Sequence, residues 1–448
     1  MSVPTPARRV AYETLRRVFE EDAWADRSLR AAAVRLGLEG RERAQAQALA
    51  YGAVQRRGTS DHFIALLSGR SVKRIDPALR AALRLGLYEL LYGSGDADHA
   101  AVDQAVALAK GRGGRRRGAG LVNAVLRRAA REREGLLAGL GDADPARAAI
   151  AHSVPVWLAE LWWEELGADG ARSMLAAVNA PPERALRANG LRGDRAAALR
   201  ALTDAGVEAG APDPGRPPAP RESIVVTGGR RGSVEELVAA GLLVPQSRAS
   251  ALVAEVLAPR PGERILDLCA GPGIKSGQIA AALGGEGAGL VAVERDPGRA
   301  RELREMLDRL GAGAATVEEG DAAAPRAPGS FDAVLVDPPC SGLGTLASRP
   351  DARWRRRPEQ IEVMAANAAR ILARGLEAAG AGGRVVYSTC TISRRENEAV
   401  VSGSGASFRD LGAEPGLGAL AASTDRRLVQ TRNDRDGTDG FFVAALGS

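Results

Sequence analysis

From residue 6 to residue 134 the apolar side chains return every three or four positions, with few alternating stretches between them. Val10, Leu15, Val18 and Phe19 make one such face; Leu79, Leu83, Leu85, Leu87, Leu90 and Leu91 make a second; Leu121, Val122, Val125 and Leu126 make a third. Asp76-Pro77 and Asp98 have the chemistry of helix starts, and residues 93–95 break the pattern, so this region is expected to be all-helical, with its last helix over 118–133. A further helix is expected after residue 143, carrying Trp157, Leu158, Leu161, Trp162, Trp163 and Leu166. Its helical spacing assigns the tryptophans to core packing ahead of a base-stacking platform. Residues 184–190 and 223–227 read as short strands, separated by a loop at Ala211-Pro-Asp-Pro-Gly-Arg-Pro-Pro-Ala-Pro220. From Ser250 onward short apolar runs alternate with helical segments. Strands are expected at 264–268, 289–294, 315–318, 331–336 and 384–388, and helices at 274–283, 297–310 and 358–379. That alternation predicts an α/β domain with a mainly parallel sheet. The expected order is therefore an all-α domain over 1–140, a small α+β region over 141–241 and a Rossmann-like α/β domain over 242–448.

Composition narrows the function classes. The 448 residues, 45% hydrophobic and 26% charged, have the balance of a folded protein and exclude a disordered or collagen-like chain. No apolar run reaches the ~18 residues that a membrane helix needs, and the basic first ten residues precede no hydrophobic segment. A cytoplasmic protein without membrane association is expected, with a monomer as the default. Lys73, Lys110 and Lys275 are the only lysines among 61 basic residues, and this arginine excess reflects base composition before function. Its distribution says more. Residues 1–140 hold 25 basic and 15 acidic side chains, against 36 and 40 in residues 141–448, so the positive surplus belongs to the helical region and suggests a polyanionic partner. The runs 110–117, which include Arg115, Arg116 and Arg117, and 127–133 are candidate phosphate contacts, or else a solvated loop and helix face. The three cysteines, Cys269, Cys340 and Cys390, and three histidines show no metal-ligand spacing, so neither a metal site nor a disulfide scaffold is expected.

Chemistry concentrates at the carboxyl ends of the expected strands, where open α/β sheets bind ligands. After the first comes Asp267-Leu-Cys-Ala-Gly271-Pro-Gly273-Ile-Lys-Ser276, a glycine turn leading into a helix; the second ends in Glu294, placed to accept hydrogen bonds from ribose hydroxyls. A turn of this kind with a later acid also fits a nicotinamide cofactor. The fourth strand ends in Asp337-Pro-Pro-Cys340-Ser-Gly and the fifth in Ser388-Thr-Cys390-Thr, so an acid and two thiols are expected to converge. Carbon 5 of cytosine is a poor nucleophile. A thiolate added to carbon 6 turns the ring into an enamine that can attack an electrophilic methyl group, and an acid at N3 offsets the developing charge.

These residues resemble the NOL1/NOP2/Sun family of S-adenosylmethionine-dependent RNA cytosine-C5 methyltransferases. The helical region, with Leu85-Gly-Leu-Tyr-Glu-Leu-Leu91, Ala100-Ala-Val-Asp-Gln-Ala-Val106 and Leu121-Val-Asn-Ala-Val-Leu-Arg-Arg128, resembles the NusB RNA-binding fold. The resemblance implies that Cys390 is the nucleophile, that Cys340 assists product release and that Asp337 contacts the target base. It also implies that Cys269, Ala270, Gly271, Pro272, Gly273, Ile274, Lys275, Glu294, Asp321 and Asp337 surround S-adenosylmethionine. Arg349-Pro-Asp351-Ala-Arg353-Trp354 resembles a family segment bordering the RNA, which makes Arg353 a candidate RNA contact along with Arg355, Arg356 and Arg357. A solvated basic helix start is the other reading of that segment. Asp439-Gly-Phe-Phe442 resembles the family's terminal strand and is read as structural. The cofactor loop departs from the family's usual Cys-Ala-Ala-Pro-Gly-Gly-Lys-Thr at Gly271, Ile274 and Ser276, and Ile274 adds bulk where a glycine is usual. The pairing of domains implies 16S ribosomal RNA as substrate. The alternatives are a non-catalytic RNA-binding or ribosome-assembly factor and a cytosine-C5 methyltransferase acting on transfer RNA.

Overall fold

The computed structural model describes residues 3–93, 98–111, 118–229 and 231–447. The chain divides into two units, Met1–Ala180 with Leu346–Arg355, and Pro181–Thr345 with Arg356–Ser448.

The first unit is helical throughout its described residues. Asp76 caps the helix Pro77–Tyr92 by accepting from the backbone of Ala78, with proline at the first turn, as expected of the Asp-Pro pair. Asp98 opens the helix Asp98–Lys110, and the last basic helix of the region runs over Ala119–Arg131. The three periodic faces meet in one core: Val10, Leu15, Leu83, Leu85, Leu87, Leu90, Val122 and Leu126 are all buried. Trp162 is fully buried on the helix Val156–Ala177, as its spacing required.

The helical unit takes in the helices that follow residue 140 and runs to Ala180. Helices Pro145–His152 and Val156–Ala177 continue the helical unit. Thr59 Oγ1 donates to the Ile150 carbonyl at 2.5 Å, the Gly58 amide to Ser153 Oγ at 2.8 Å, and Gln55 Nε2 to the Val178 carbonyl at 2.8 Å. The expected 141–241 region is therefore divided between the two units.

In the second unit, β1 (Ala185–Ala188), β2 (Val207–Gly210), β3 (Ser223–Gly229) and β4 (Leu243–Pro245) form an antiparallel sheet of order β2-β3-β1-β4, covered by the helices Arg195–Asp204 and Arg231–Ala239. The main sheet contains β5 (Ile265–Asp267), β6 (Leu290–Glu294), β7 (Thr316–Glu319), β8 (Ala333–Val336), β9 (Arg384–Thr389), β10 (Ser407–Phe408), β11 (Val429–Gln430) and β12 (Phe442–Gly447). Its order is β10-β12-β9-β8-β5-β6-β7, with β11 on β12. β5 to β9 are parallel, as the continuous apolar runs of β5, β6 and β8 predict; β12, carrying the terminal Phe442, lies antiparallel to β9 from Phe442–Thr389 to Gly447–Arg384. Helices Ile274–Leu283 and Pro297–Leu310 have the expected bounds, and Glu359–Ala379 starts one residue late. The strand order reverses at β5, between β6 and β8, which puts the ligand crevice of such a sheet beyond the carboxyl ends of β5 and β8. Among the described residues no helix is long and apolar enough to cross a membrane, and no group of three or more His, Cys, Asp or Glu is arranged to hold a metal ion.

Candidate active site

The glycine turn leaves β5 at the switch point. Gly273 adopts φ 101°, in the left-handed region, and a Cβ there would lie 2.8 Å from Leu303 Cδ1, so both the turn and the packing beneath it require glycine. Asp267, at the end of β5, is buried. It accepts from Ser276 Oγ at 2.7 Å and from the Cys269 amide at 3.3 Å, which locks the turn to the first turn of the following helix. Burial pushes the Asp267 carboxyl up to about 6, against the hydrogen bond from Ser276. The Cys269 thiol is held well above its ordinary value, first by burial and then by the charge of Asp267. Glu294, at the end of β6, is turned toward the same loop: Arg299 Nη2 bridges Glu294 Oε2 at 3.2 Å and the Gly271 carbonyl at 3.0 Å. Asp321 follows β7, is exposed and accepts from the Ala323 amide at 2.9 Å. Three successive strands of the sheet, β5, β6 and β7, thus end in the turn, Glu294 and Asp321.

Asp337 directly follows β8. It accepts from Lys275 Nζ at 2.7 Å through one oxygen and from Ser388 Oγ at 2.7 Å through the other. Lys275, expected only among the cofactor contacts, is therefore the partner of the acid. Burial pulls its ammonium down, but the charge and hydrogen bond of Asp337 outweigh that, and a negative Cys390 raises it further; the net shift is upward. The ammonium also lies 5.0 Å from the centre of the Phe441 ring.

The two thiols converge as the strand order requires. Cys340 Sγ and Cys390 Sγ are 3.3 Å apart. Their loops are stitched together by Ser341 Oγ to Thr391 Oγ1 at 2.8 Å and by the Gly344 amide to the Cys390 carbonyl at 3.0 Å. The Cys340 thiol is raised well above its ordinary value, first by its hydrogen bond with Cys390, then by burial and by the Cys390 charge.

The basic segment after Cys340 differs from expectation. The Arg353 guanidinium is completely buried in the helical unit, donating to the carbonyls of Ser153, Val178 and Leu346 and to Asn179 Oδ1, so it presents nothing to a phosphate. Arg355 pairs with Asp22 at 2.9 Å and lies over Trp24. Arg356 donates to the Ser341 carbonyl at 2.8 Å, and Arg357 is exposed. Arg115, Arg116 and Arg117 lie outside the described residues.

Comparison with known proteins bears on the same three regions. Residues 254–447 match the family model described as 16S rRNA methyltransferase RsmB/F, residues 5–131 the NusB family, and residues 154–215 the RsmF/B-like ferredoxin-like domain. The "Probable ribosomal RNA small subunit methyltransferase B" of Synechocystis is 32% identical over 98% of this chain and 99% of its own. The ribosomal RNA small subunit methyltransferase B of Thermus thermophilus is 34% identical over 91% of this chain and 89% of its own. The crystal structure of PH0851 shares the fold with a TM-score of 0.80, covering 100% of both chains at 23% identity.

Proposed function

Since the chain belongs to the 16S rRNA methyltransferase RsmB/F family, we propose that it methylates carbon 5 of a cytosine in 16S ribosomal RNA, using S-adenosylmethionine and a covalent adduct between Cys390 and carbon 6 of the base. The observation that carries this reading is the approach of the two thiols to 3.3 Å on adjacent strand-end loops, with the Lys275–Asp337 pair on the same edge of the sheet. A nicotinamide enzyme has no use for that pair of thiols.

S-adenosylmethionine supplies an electrophilic methyl group when bound. The residues that would hold it are those of the turn from Cys269 to Ile274, with Glu294 for the ribose and Asp321 for the adenine. Their fit rests on the turn that Gly273 makes at φ 101° and on Glu294, which faces that turn through the Arg299 guanidinium shared with the Gly271 carbonyl.

The thiols divide their roles by protonation. Cys340 is held protonated by its neighbour and by burial, which leaves Cys390 as the one to attack. Lys275 is the cation on which the Cys390 charge acts, and it therefore favours the thiolate. As Cys390 adds to carbon 6, Asp337, backed by the Lys275 ammonium, offsets charge developing at N3. Once Cys390 is bonded to carbon it no longer raises Cys340. Cys340, eased in this way, gives its proton to solvent and takes the C5 proton, and the C5–C6 double bond re-forms as the bond from carbon 6 to Cys390 breaks. A base within a helix does not expose carbon 6 from its face, so single-stranded or loop RNA is the expected substrate form.

The test uses purified protein, labelled S-adenosylmethionine and 16S ribosomal RNA from a host lacking its own copy of the enzyme. Label at cytosine C5 in the wild type, its loss in Cys390→Ala and a covalent protein–RNA adduct in Cys340→Ala are expected. Absence of label on ribosomal RNA, with cofactor and RNA both bound, would overturn the reading in favour of another RNA substrate or of a non-catalytic assembly factor.

A further inference from the structure

Two loops that each carry a thiol need something to fix them against each other, and the hydrogen bonds lead to two adjacent buried polar residues. Glu396 is 1% exposed and Asn397 is fully buried. Glu396 Oε1 accepts from the Ser341 amide at 2.7 Å and its Oε2 from Ser341 Oγ at 2.5 Å, so both donors of the residue next to Cys340 end on one carboxylate. With the Ser341 proton committed there, Thr391 donates to Ser341 Oγ, which orders the whole chain of hydroxyls. Asn397 brackets the other thiol. Its Oδ1 accepts from Thr389 Oγ1 at 2.5 Å, and its Nδ2 donates to the Thr391 carbonyl at 3.1 Å, so the residues on either side of Cys390 are tied to one amide. Tyr387 OH, from within β9, donates to the Glu396 carbonyl at 2.5 Å and anchors the pair to the sheet.

A carboxylate that has left water is costly to keep, and burial raises the Glu396 carboxyl against the opposing bonds from Ser341. A fold that only needed to close this loop could do so with apolar side chains. Each polar group here is instead aimed at a residue that neighbours a thiol.

We infer that Glu396 and Asn397 are paired positioning residues, Glu396 setting Cys340 through Ser341 and Asn397 setting Cys390 through Thr389 and Thr391. The inference rests on the proposed division of labour between the thiols, and it predicts that the two neighbours fail in different ways. Loss of the Asn397 bracket lets the nucleophile wander, and misplacement of a reacting group by ~1 Å lowers its rate about 100-fold. Loss of Glu396 leaves attack intact but frees the loop that carries Cys340, so adduct forms and is not resolved.

Single-turnover reactions with labelled S-adenosylmethionine and 16S ribosomal RNA test this on Glu396→Ala, Asn397→Ala, Cys340→Ala and Cys390→Ala, with S-adenosylmethionine affinity measured on each. Asn397→Ala is expected to methylate about 100-fold more slowly without accumulating adduct, and Glu396→Ala to trap adduct as Cys340→Ala does. Both should keep wild-type cofactor affinity. Glu396→Gln retains an acceptor for the Ser341 amide and should restore release. The milder pair Ser341→Ala and Thr389→Val, which remove one hydroxyl each, should repeat the split in weaker form and stand in for any alanine variant that does not fold. If Cys340→Ala traps no adduct, the thiol assignment falls and the inference with it. If Cys340→Ala traps adduct while Glu396→Ala and Asn397→Ala lose cofactor affinity together, or both turn over normally, the inference alone is overturned.

Discussion

Arg353 is the residue for which a surface role and a core role make the most different predictions. It was expected among the RNA contacts, yet its guanidinium donates to four acceptors inside the helical unit at 2.9 to 3.2 Å. Arg353→Met keeps the apolar stem and removes the donors. The Val178 carbonyl retains Gln55 as a partner at 2.8 Å. The Ser153 carbonyl, the Leu346 carbonyl and Asn179 Oδ1 are left facing an apolar chain. A buried acceptor without a donor costs about 1–3 kcal/mol, and relief from burying the charge returns part of the total, so a net loss of about 2–4 kcal/mol is expected. Arg353→Lys should fare little better. One ammonium carries its three donors on a single atom and does not span acceptors that a planar fork reaches from two nitrogens.

All five tryptophans, Trp24, Trp157, Trp162, Trp163 and Trp354, belong to the helical unit, so their fluorescence during denaturant unfolding reports on that unit. The expected result is a transition shifted to lower denaturant in both variants. RNA binding, measured under conditions where the variants remain folded, should keep its salt dependence. A phosphate contact predicts the reverse pattern: stability within about 0.5 kcal/mol of wild type, a salt slope reduced by about 0.7 to 0.9 in Arg353→Met, and recovery in Arg353→Lys. That result would refute the core assignment.

Three further outcomes follow from the methyltransferase unit. Lys275→Met should lower the methyl-transfer rate by about 100-fold or more while S-adenosylmethionine affinity changes little, because the ammonium is committed to Asp337; a change confined to KM for the cofactor would return Lys275 to the cofactor-binding role. Asp267 is raised from 3.8 to about 6, so the wild type loses stability as pH climbs through that window and is most favoured below it; relative to wild type, Asp267→Asn should gain up to about 3 kcal/mol between pH 4 and pH 6, read by denaturant unfolding followed by circular dichroism. A flat difference across that window would show that the carboxyl ionises normally. Gly344→Ala places a Cβ 1.9 Å from the Gly440 carbonyl oxygen and displaces the strand of backbone that holds the Cys390 carbonyl, so methylation should fall with cofactor binding retained; wild-type turnover in that variant would show that the contact between Gly344 and Gly440 does not set the thiols.

What the sequence displays well is whatever its local pattern determines. The glycine turn, the acid at the end of β6 and the two cysteines each follow an apolar run directly, so the parallel sheet carries them to one edge, and the expected positions of β5, β6, β8 and β9 are enough to bring them together. β2 and β4 escape notice because they are four and three residues long, too short for a period to show, and β4 ends in Pro245, which argues against a strand. That the helices after residue 140 join the helical unit is not visible in the sequence, because helices on either side of that point have the same period, and nothing in that period says which of them pack together. Partner choice is the least visible property. Lys275 and Asp337 are 62 residues apart and meet only through the strand order. Nothing in the pattern of Arg394-Arg-Glu-Asn-Glu398 singles out Glu396 and Asn397, and they point inward because Ser341, Thr389 and Thr391 offer them matching groups. The run from Arg353 to Arg357 separates in the same way: Arg353 goes into the helical core, Arg355 to Asp22, Arg356 to the carbonyls of Cys340 and Ser341, and Arg357 to solvent. A basic run fixes how much charge a segment carries, and the tertiary acceptors within reach decide which of its members remain for a nucleic acid.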